Sequence, residues 1–122
     1  MKILISGDRN WTNHQLIASS IIKEILDLKL EYWQVTLIHG CARGADTLAG
    51  KIARHLGMKV LEFPAEWDKY GKSAGPIRNR QMLNEKPDLV LAFHNDIGNS
   101  KGTKDCILEA NKRKINVKLI SE

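Results

Sequence analysis

Five short, almost unbroken apolar segments, separated by stretches of helical period, leave this chain few architectures. They are Lys2 to Ser6, Gln34 to His39, Lys59 to Phe63, Leu89 to Phe93 and Asn116 to Ile120. None alternates cleanly between apolar and polar residues, so each is expected to lie under helices on both sides. Such strands, interleaved with helices, predict an α/β, Rossmann-like fold: a doubly wound, mainly parallel five-stranded sheet of order 3-2-1-4-5 with about four helices. With 122 residues, 43% of them hydrophobic, and no linker-like shift in composition, residues 1–122 are expected to form one compact domain.

Spacing and end signals place the covering helices. Thr12-Asn13-His14-Gln15 has capping-box form, so the first helix is expected to start at Thr12 and to run to about Lys29. Ile17, Ile21, Ile25 and Leu28, with Leu16 and Ile22 beside them, give it one buried stripe. A second helix, about Ala45 to Leu56, carries Leu48, Ile52 and Leu56 on one face, and Gly57 stands where a left-handed cap is wanted. The third is expected from Pro76, a residue suited to the first helical position, to about Asn84. The fourth, about Gly102 to Arg113, ends on the cations Lys112-Arg113-Lys114. Between third strand and third helix lies a twelve-residue connection, Pro64 to Gly75, containing Trp67 and Tyr70. Connections of that length in compact domains are often functional.

Several classes of function fall away. No apolar run approaches the roughly twenty residues of a bilayer span, so no membrane partner is expected. The apolar stretch after Lys2 is too short for a secretory signal, which points to a cytoplasmic address. Cys41 and Cys106 form no Cys-x-x-Cys pair and have no His-x-x-x-His companion, so neither a disulfide framework nor a metal site is read, and no cofactor is expected. No Ser-His-Asp or Cys-His arrangement stands out, leaving catalytic residues unassigned. Nineteen Lys and Arg against fourteen Asp and Glu give a formal charge of +5, which favours an anionic partner. The charge is scattered, so single-stranded nucleic acid ranks behind a small anion.

In an open parallel sheet, ligands bind outside the carboxyl ends of the strands where strand order reverses. That rule selects the loops Gly7 to Trp11, Gly40 to Asp46, Pro64 to Gly75 and His94 to Thr103. In the last of these, Ser100, Gly102 and Thr103 precede a helix, where unpaired N–H groups favour phosphate. Gly40 and Gly44 let backbone approach a ligand, and Arg43 adds a fork for phosphate or carboxylate. Asp46 either complements the dipole of its own helix or binds sugar hydroxyls. Trp11 and Trp67 offer flat faces that could cover a base. Arg78, near the start of the third helix, opposes the helix dipole unless an anion compensates. Gly7, Arg9, Gly75 and Asn79 complete the expected ligand-binding set.

Four segments together resemble the SLOG superfamily, especially its small YspA-like and YpsA-like branch: Gly7-Asp8-Arg9-Asn10-Trp11, His39-Gly40-Cys41-Ala42-Arg43-Gly44-Ala45-Asp46, Ala74-Gly75-Pro76-Ile77-Arg78-Asn79-Arg80-Gln81-Met82 and Ser100-Lys101-Gly102-Thr103. The group also includes the Lonely Guy phosphoribohydrolases and the DNA-processing protein A core. The resemblance implies a pocket for a nucleotide or nucleotide-derived ligand, ADP-ribose or NAD-related compounds among them, held for sensing, carriage or sequestration. It also implies a phosphate at the Gly-Thr turn, Arg78 against the ligand, and a homo-oligomer. In the phosphoribohydrolases a glutamate three positions after that threonine joins an arginine to cleave an N-glycosidic bond. Here the position is Cys106, with Asp105 one residue earlier, pointing roughly 100° away around a helix. A thiol cannot replace the carboxylate. Binding is therefore the leading expectation, with N-glycosidic hydrolysis of nucleoside monophosphates, using Asp105 or Asp46 in place of the missing glutamate, as its rival.

Overall fold

A computed structural model describes all residues, Met1–Glu122. Its strands are β1 (Lys2–Gly7), β2 (Thr36–His39), β3 (Lys59–Glu62), β4 (Leu89–Phe93) and β5 (Asn116–Ile120), and its helices are α1 (His14–Asp27), α2 (Ala45–Leu56), α3 (Trp67–Tyr70), α4 (Ala74–Leu83) and α5 (Gly102–Lys112). The strands form one parallel sheet in the order β3-β2-β1-β4-β5. Strand order therefore reverses between β1 and β4, where Gly7 pairs with Phe93.

Successive side chains of a strand point to opposite faces, and β1 uses both. Ile3 and Ile5 enter a core beneath α1 and α2, with Ile17, Ile21, Ile25, Leu37, Ala49, Leu91 and Phe93. Leu4 enters a second core beneath α4 and α5, with Ile38, Met82, Leu83, Val90, Cys106 and Ala110. Burial on two faces explains why the central strands read as unbroken apolar runs: every residue of β4 is buried. The edge strands β3 and β5 are partly exposed, which accounts for their lysines.

Element ends differ from expectation in informative ways. Helix α1 is capped by Asn13, whose side-chain oxygen accepts the Leu16 amide at 3.0 Å; Thr12 lies outside. The backbone carbonyl of Asn13 also accepts the Trp11 indole N–H at 2.9 Å, so burying Trp11 fixes the entry to the helix one residue late. Strand β2 begins at Thr36 because Tyr32–Gln34 makes a 3-10 turn, with Gln34 Oε1 accepting the Glu31 amide. The Pro64 to Gly75 connection is not structureless: it contains α3 and a 3-10 turn, Gly71–Ser73. Helix α4 follows directly from Ala74, which puts Pro76 third in the helix, still within the first turn where its missing N–H leaves no hydrogen bond unmade.

Candidate functional site

At the reversal point, the loops after β1, β2, β3 and β4 surround a cavity of about 720 Å³. Its floor is the end of β1, Ser6 and Gly7, and its walls come from the α2 loop, the first turns of α4 and the start of α5. Of the residues singled out from sequence, Gly7, Arg9, Arg43, Asp46, Trp67, Gly75, Arg78, Asn79, Ser100, Gly102 and Thr103 all line it. The lining also holds Lys72 and Lys101, so cations exceed the carboxylates Asp8, Asp46 and Asp105.

Arg78 is buried, and its guanidinium is half tied. Nη1 donates to the Gly40 carbonyl at 2.6 Å and Nε donates to Asn79 Oδ1 at 3.1 Å. Nη2 makes no hydrogen bond within the protein and is not sealed off, so it faces the cavity. Gly40 has to be glycine for this seat: a Cβ there would stand 2.7 Å from Arg78 Cζ and 2.9 Å from its Cδ. On its other side, the Gly40 amide donates to Asp46 Oδ2 at 3.0 Å, and the Ala42 amide does so at 3.4 Å. Burial pushes the Asp46 carboxyl up to about 6, against the opposing pull of Arg78 and the two amides. Asp46 thus shapes the loop that seats Arg78.

Asn79 joins the two walls. Its Nδ2 donates to the Gly102 carbonyl at 3.2 Å and to Asp105 Oδ2 at 3.0 Å, while its Oδ1 holds Arg78. Arg78 and Thr103 are therefore neighbours across one cavity. Ser100 Oγ accepts the Thr103 amide at 3.1 Å, and the amides of Lys101, Gly102 and Lys104 make no backbone hydrogen bond. Of these, Lys101 and Gly102, at the positive end of α5, line the same cavity as the Arg78 fork. Trp67 closes the opposite side; half exposed, it packs its ring edge toward Gly75.

Three expected residues do not line the cavity. Trp11 is 4% exposed and packs edge-on against Phe93, with ring centroids 5.6 Å apart, so no face of it is offered to a base. Gly40 makes room for Arg78 rather than for a ligand. Gly44 has φ of +78°, and a Cβ there would meet the Arg9 carbonyl at 2.5 Å, so it lets the β1 and β2 loops cross.

Residues outside the expected ligand-binding set also reach the cavity. Asp105 lines the cavity and accepts from Asn79 Nδ2, while position 106, about 100° around the helix, faces the core. Cys106 is fully buried beneath it, and desolvation lifts its thiol to about 12. Lys72, Lys101 and His94 also line the site; their place in the connections after β3 and β4 was their only signal in the sequence. Beside the cavity, burial and the Glu62 carboxylate raise the Cys41 thiol to about 11, and burial lowers His39 from its ordinary value. Neither thiol is poised as a nucleophile near neutral pH.

Comparison with known proteins gives consistent matches. Residues 1–70 match the family model described as YspA, cpYpsA-related SLOG family (YAcAr). A protein of Mycobacterium phage D29, "Gene 61 protein", is 35% identical over 121 residues, covering 95% of this chain and 93% of its own length. The structure of DNA processing protein A (DprA) from Streptococcus pneumoniae superposes with a TM-score of 0.69 at 19% identity, over 97% of this chain and 49% of that one. The chain thus spans about half of that structure, and the likeness is one of fold. No helix of the chain is long and apolar enough to cross a membrane.

Proposed function

Because the chain belongs to the YspA, cpYpsA-related SLOG family, we propose that it binds a nucleotide or nucleotide-derived ligand, of the ADP-ribose or NAD-related kind, as a sensor, carrier or sequestering protein. The observation that carries this reading is the meeting of the free Arg78 Nη2 with the unbonded amides at the start of α5. Guanidinium and helix N-terminus converging on one space favour a phosphate group. Arg9, Arg43, Lys72 and Lys101, which line the cavity, would neutralise further charge, Asp105 and Asp46 would meet sugar hydroxyls, and Trp67 would stack on a base. The cavity volume falls in the range of roughly 300–1,000 Å³ typical of small-molecule sites.

A thermal-shift panel of AMP, ADP-ribose, NAD and cyclic nucleotides tests it. A ligand present at one hundred times its Kd stabilises by about 2.7 kcal/mol. At least one compound should raise Tm, and Arg78→Ala should abolish the rise. A panel with no shift at all removes the reading.

One observation favours a second reading. The Asp105 carboxylate stands at the cavity, whereas the position of the phosphoribohydrolases' glutamate is here a buried thiol. A carboxylate there could serve N-glycosidic cleavage of a nucleoside monophosphate. Release of free adenine from AMP, lost in Asp105→Asn, would establish it. Assembly into a homo-oligomer that shares the cavity belongs to the first reading, and sedimentation equilibrium checks it.

A further inference from the structure

On the outer side of the loop that seats Arg78, three side chains from separate segments converge. His39 ends β2, Cys41 follows it, and Glu62 ends the neighbouring strand β3. One ligand atom from each lies within 4.8 Å of the others. Cys41 Sγ is 3.4 Å from Glu62 Oε2, and His39 Nε2 is 3.8 Å from the same oxygen. The other Glu62 oxygen is held by Arg54 Nη2 at 2.7 Å, which turns Oε2 toward the cluster. His39 is 3% exposed, and its Nε2 is the one buried side-chain polar atom with no hydrogen-bond partner.

We propose that His39, Cys41 and Glu62 bind a single zinc-type divalent cation, with water completing the coordination. Imidazole, thiolate and carboxylate are the donors zinc prefers, and bonds of about 2.0–2.3 Å in a tetrahedron put neighbouring donors about 3.3–3.7 Å apart. The observed 3.4 and 3.8 Å are close to that spacing. A local motif search misses the site because Glu62 is 21 residues from Cys41 and joins it only through β2–β3 pairing.

Coordination has a defined proton inventory. In the metal-free chain, His39 Nδ1 accepts the Cys41 amide at 3.0 Å, so the ring's proton is on Nε2. Binding moves that proton to Nδ1 and releases the Cys41 thiol proton to solvent, leaving one thiolate, one carboxylate and one neutral imidazole around the cation. The Cys41 amide must then turn from the ring. Cys41 has φ of +62°, and the turn of its amide is opposed by the bond from Arg78 to the Gly40 carbonyl. The same peptide carries the Gly40 carbonyl that accepts from Arg78, so metal loading would be felt at the cavity wall.

The test uses the full chain, stripped by a chelator and titrated with Zn²⁺ alone by calorimetry and with Co²⁺ in a spectrophotometer. One ion per chain should bind, Zn²⁺ should raise Tm, and Co²⁺ should give a thiolate-to-cobalt charge-transfer band with the intense visible bands of four-coordinate cobalt. Cys41→Ser should remove the charge-transfer band, and Glu62→Gln should weaken Zn²⁺ binding at least about tenfold. Melting curves without metal report whether each variant is folded; if Cys41→Ser is not, the Glu62→Gln titration decides. Absence of the band in the wild-type chain, its persistence in Cys41→Ser, or unchanged affinity in Glu62→Gln overturns the proposal.

Discussion

Replacing Gly40 by alanine places a methyl group against the guanidinium of a residue 38 positions away. The new Cβ would lie 2.7 Å from Arg78 Cζ, well inside contact distance, and backbone on both sides of Gly40 is fixed by Asp46 and Arg78. Arg78 must therefore swing out, losing a charge-assisted bond worth about 1.5–3 kcal/mol, while overpacking costs about 1–3 kcal/mol if it does not. These are alternatives, so the expected loss is about 1–3 kcal/mol. In a domain of this size that lowers Tm by about 3–15 °C. The discriminating assay is a double-mutant cycle by urea denaturation, combining Gly40→Ala with Arg78→Ala. Once the guanidinium is gone, the alanine at position 40 should cost less than about 1 kcal/mol, giving an interaction energy of about 1–2 kcal/mol. Additivity within about 0.5 kcal/mol would refute the steric argument and return Gly40 to a purely conformational role.

The two tryptophans should separate cleanly: Trp11→Ala removes core packing and is expected to cost about 3–5 kcal/mol, whereas Trp67→Ala should leave urea stability within about 0.5 kcal/mol and weaken ligand binding by about 1 kcal/mol or more. For Asp46 the folded pKa, about 6, lies above the free value, so the folded chain binds the extra proton between about pH 4 and 6 and stability attributable to this group falls as pH rises through that window. Comparing the wild-type chain with Asp46→Asn across pH 4–7 should show that slope, up to about 3 kcal/mol, only in the wild type. Asn79→Ala should cost about 2–3 kcal/mol and loosen the first turn of α5, read by amide hydrogen exchange at Thr103 and Asp105.

Much of the architecture was legible because burial on both faces writes itself into a strand as an unbroken apolar run. The β4 segment, Leu89–Phe93, is the clearest case, and the small-residue turns after β1, β2 and β4 followed from the sheet's polarity. Roles that depend on long-range packing were not legible. Trp11 and Trp67 both follow strand ends, and nothing local says that one packs edge-on against Phe93 while the other stays half exposed. Gly40 reads as a glycine for ligand approach, because the side chain that needs its missing Cβ comes from another helix. Which of Asp105 and Cys106 turns to the cavity was not legible either, since that depends on how α5 packs on the sheet and on Asn79 of another helix.

Asn79 has a wider bearing. By gripping Arg78 behind it and both Gly102 and Asp105 across the helix gap, it makes one stiff bracket of the cavity's deep wall. An anion arriving there would find its donors already aimed, so its capture carries little ordering penalty and discriminates weakly among molecules that share the group. Choice between such molecules then falls to the looser rim around Trp67 and Lys72, where changes of sequence among relatives would retune selectivity without disturbing anchorage.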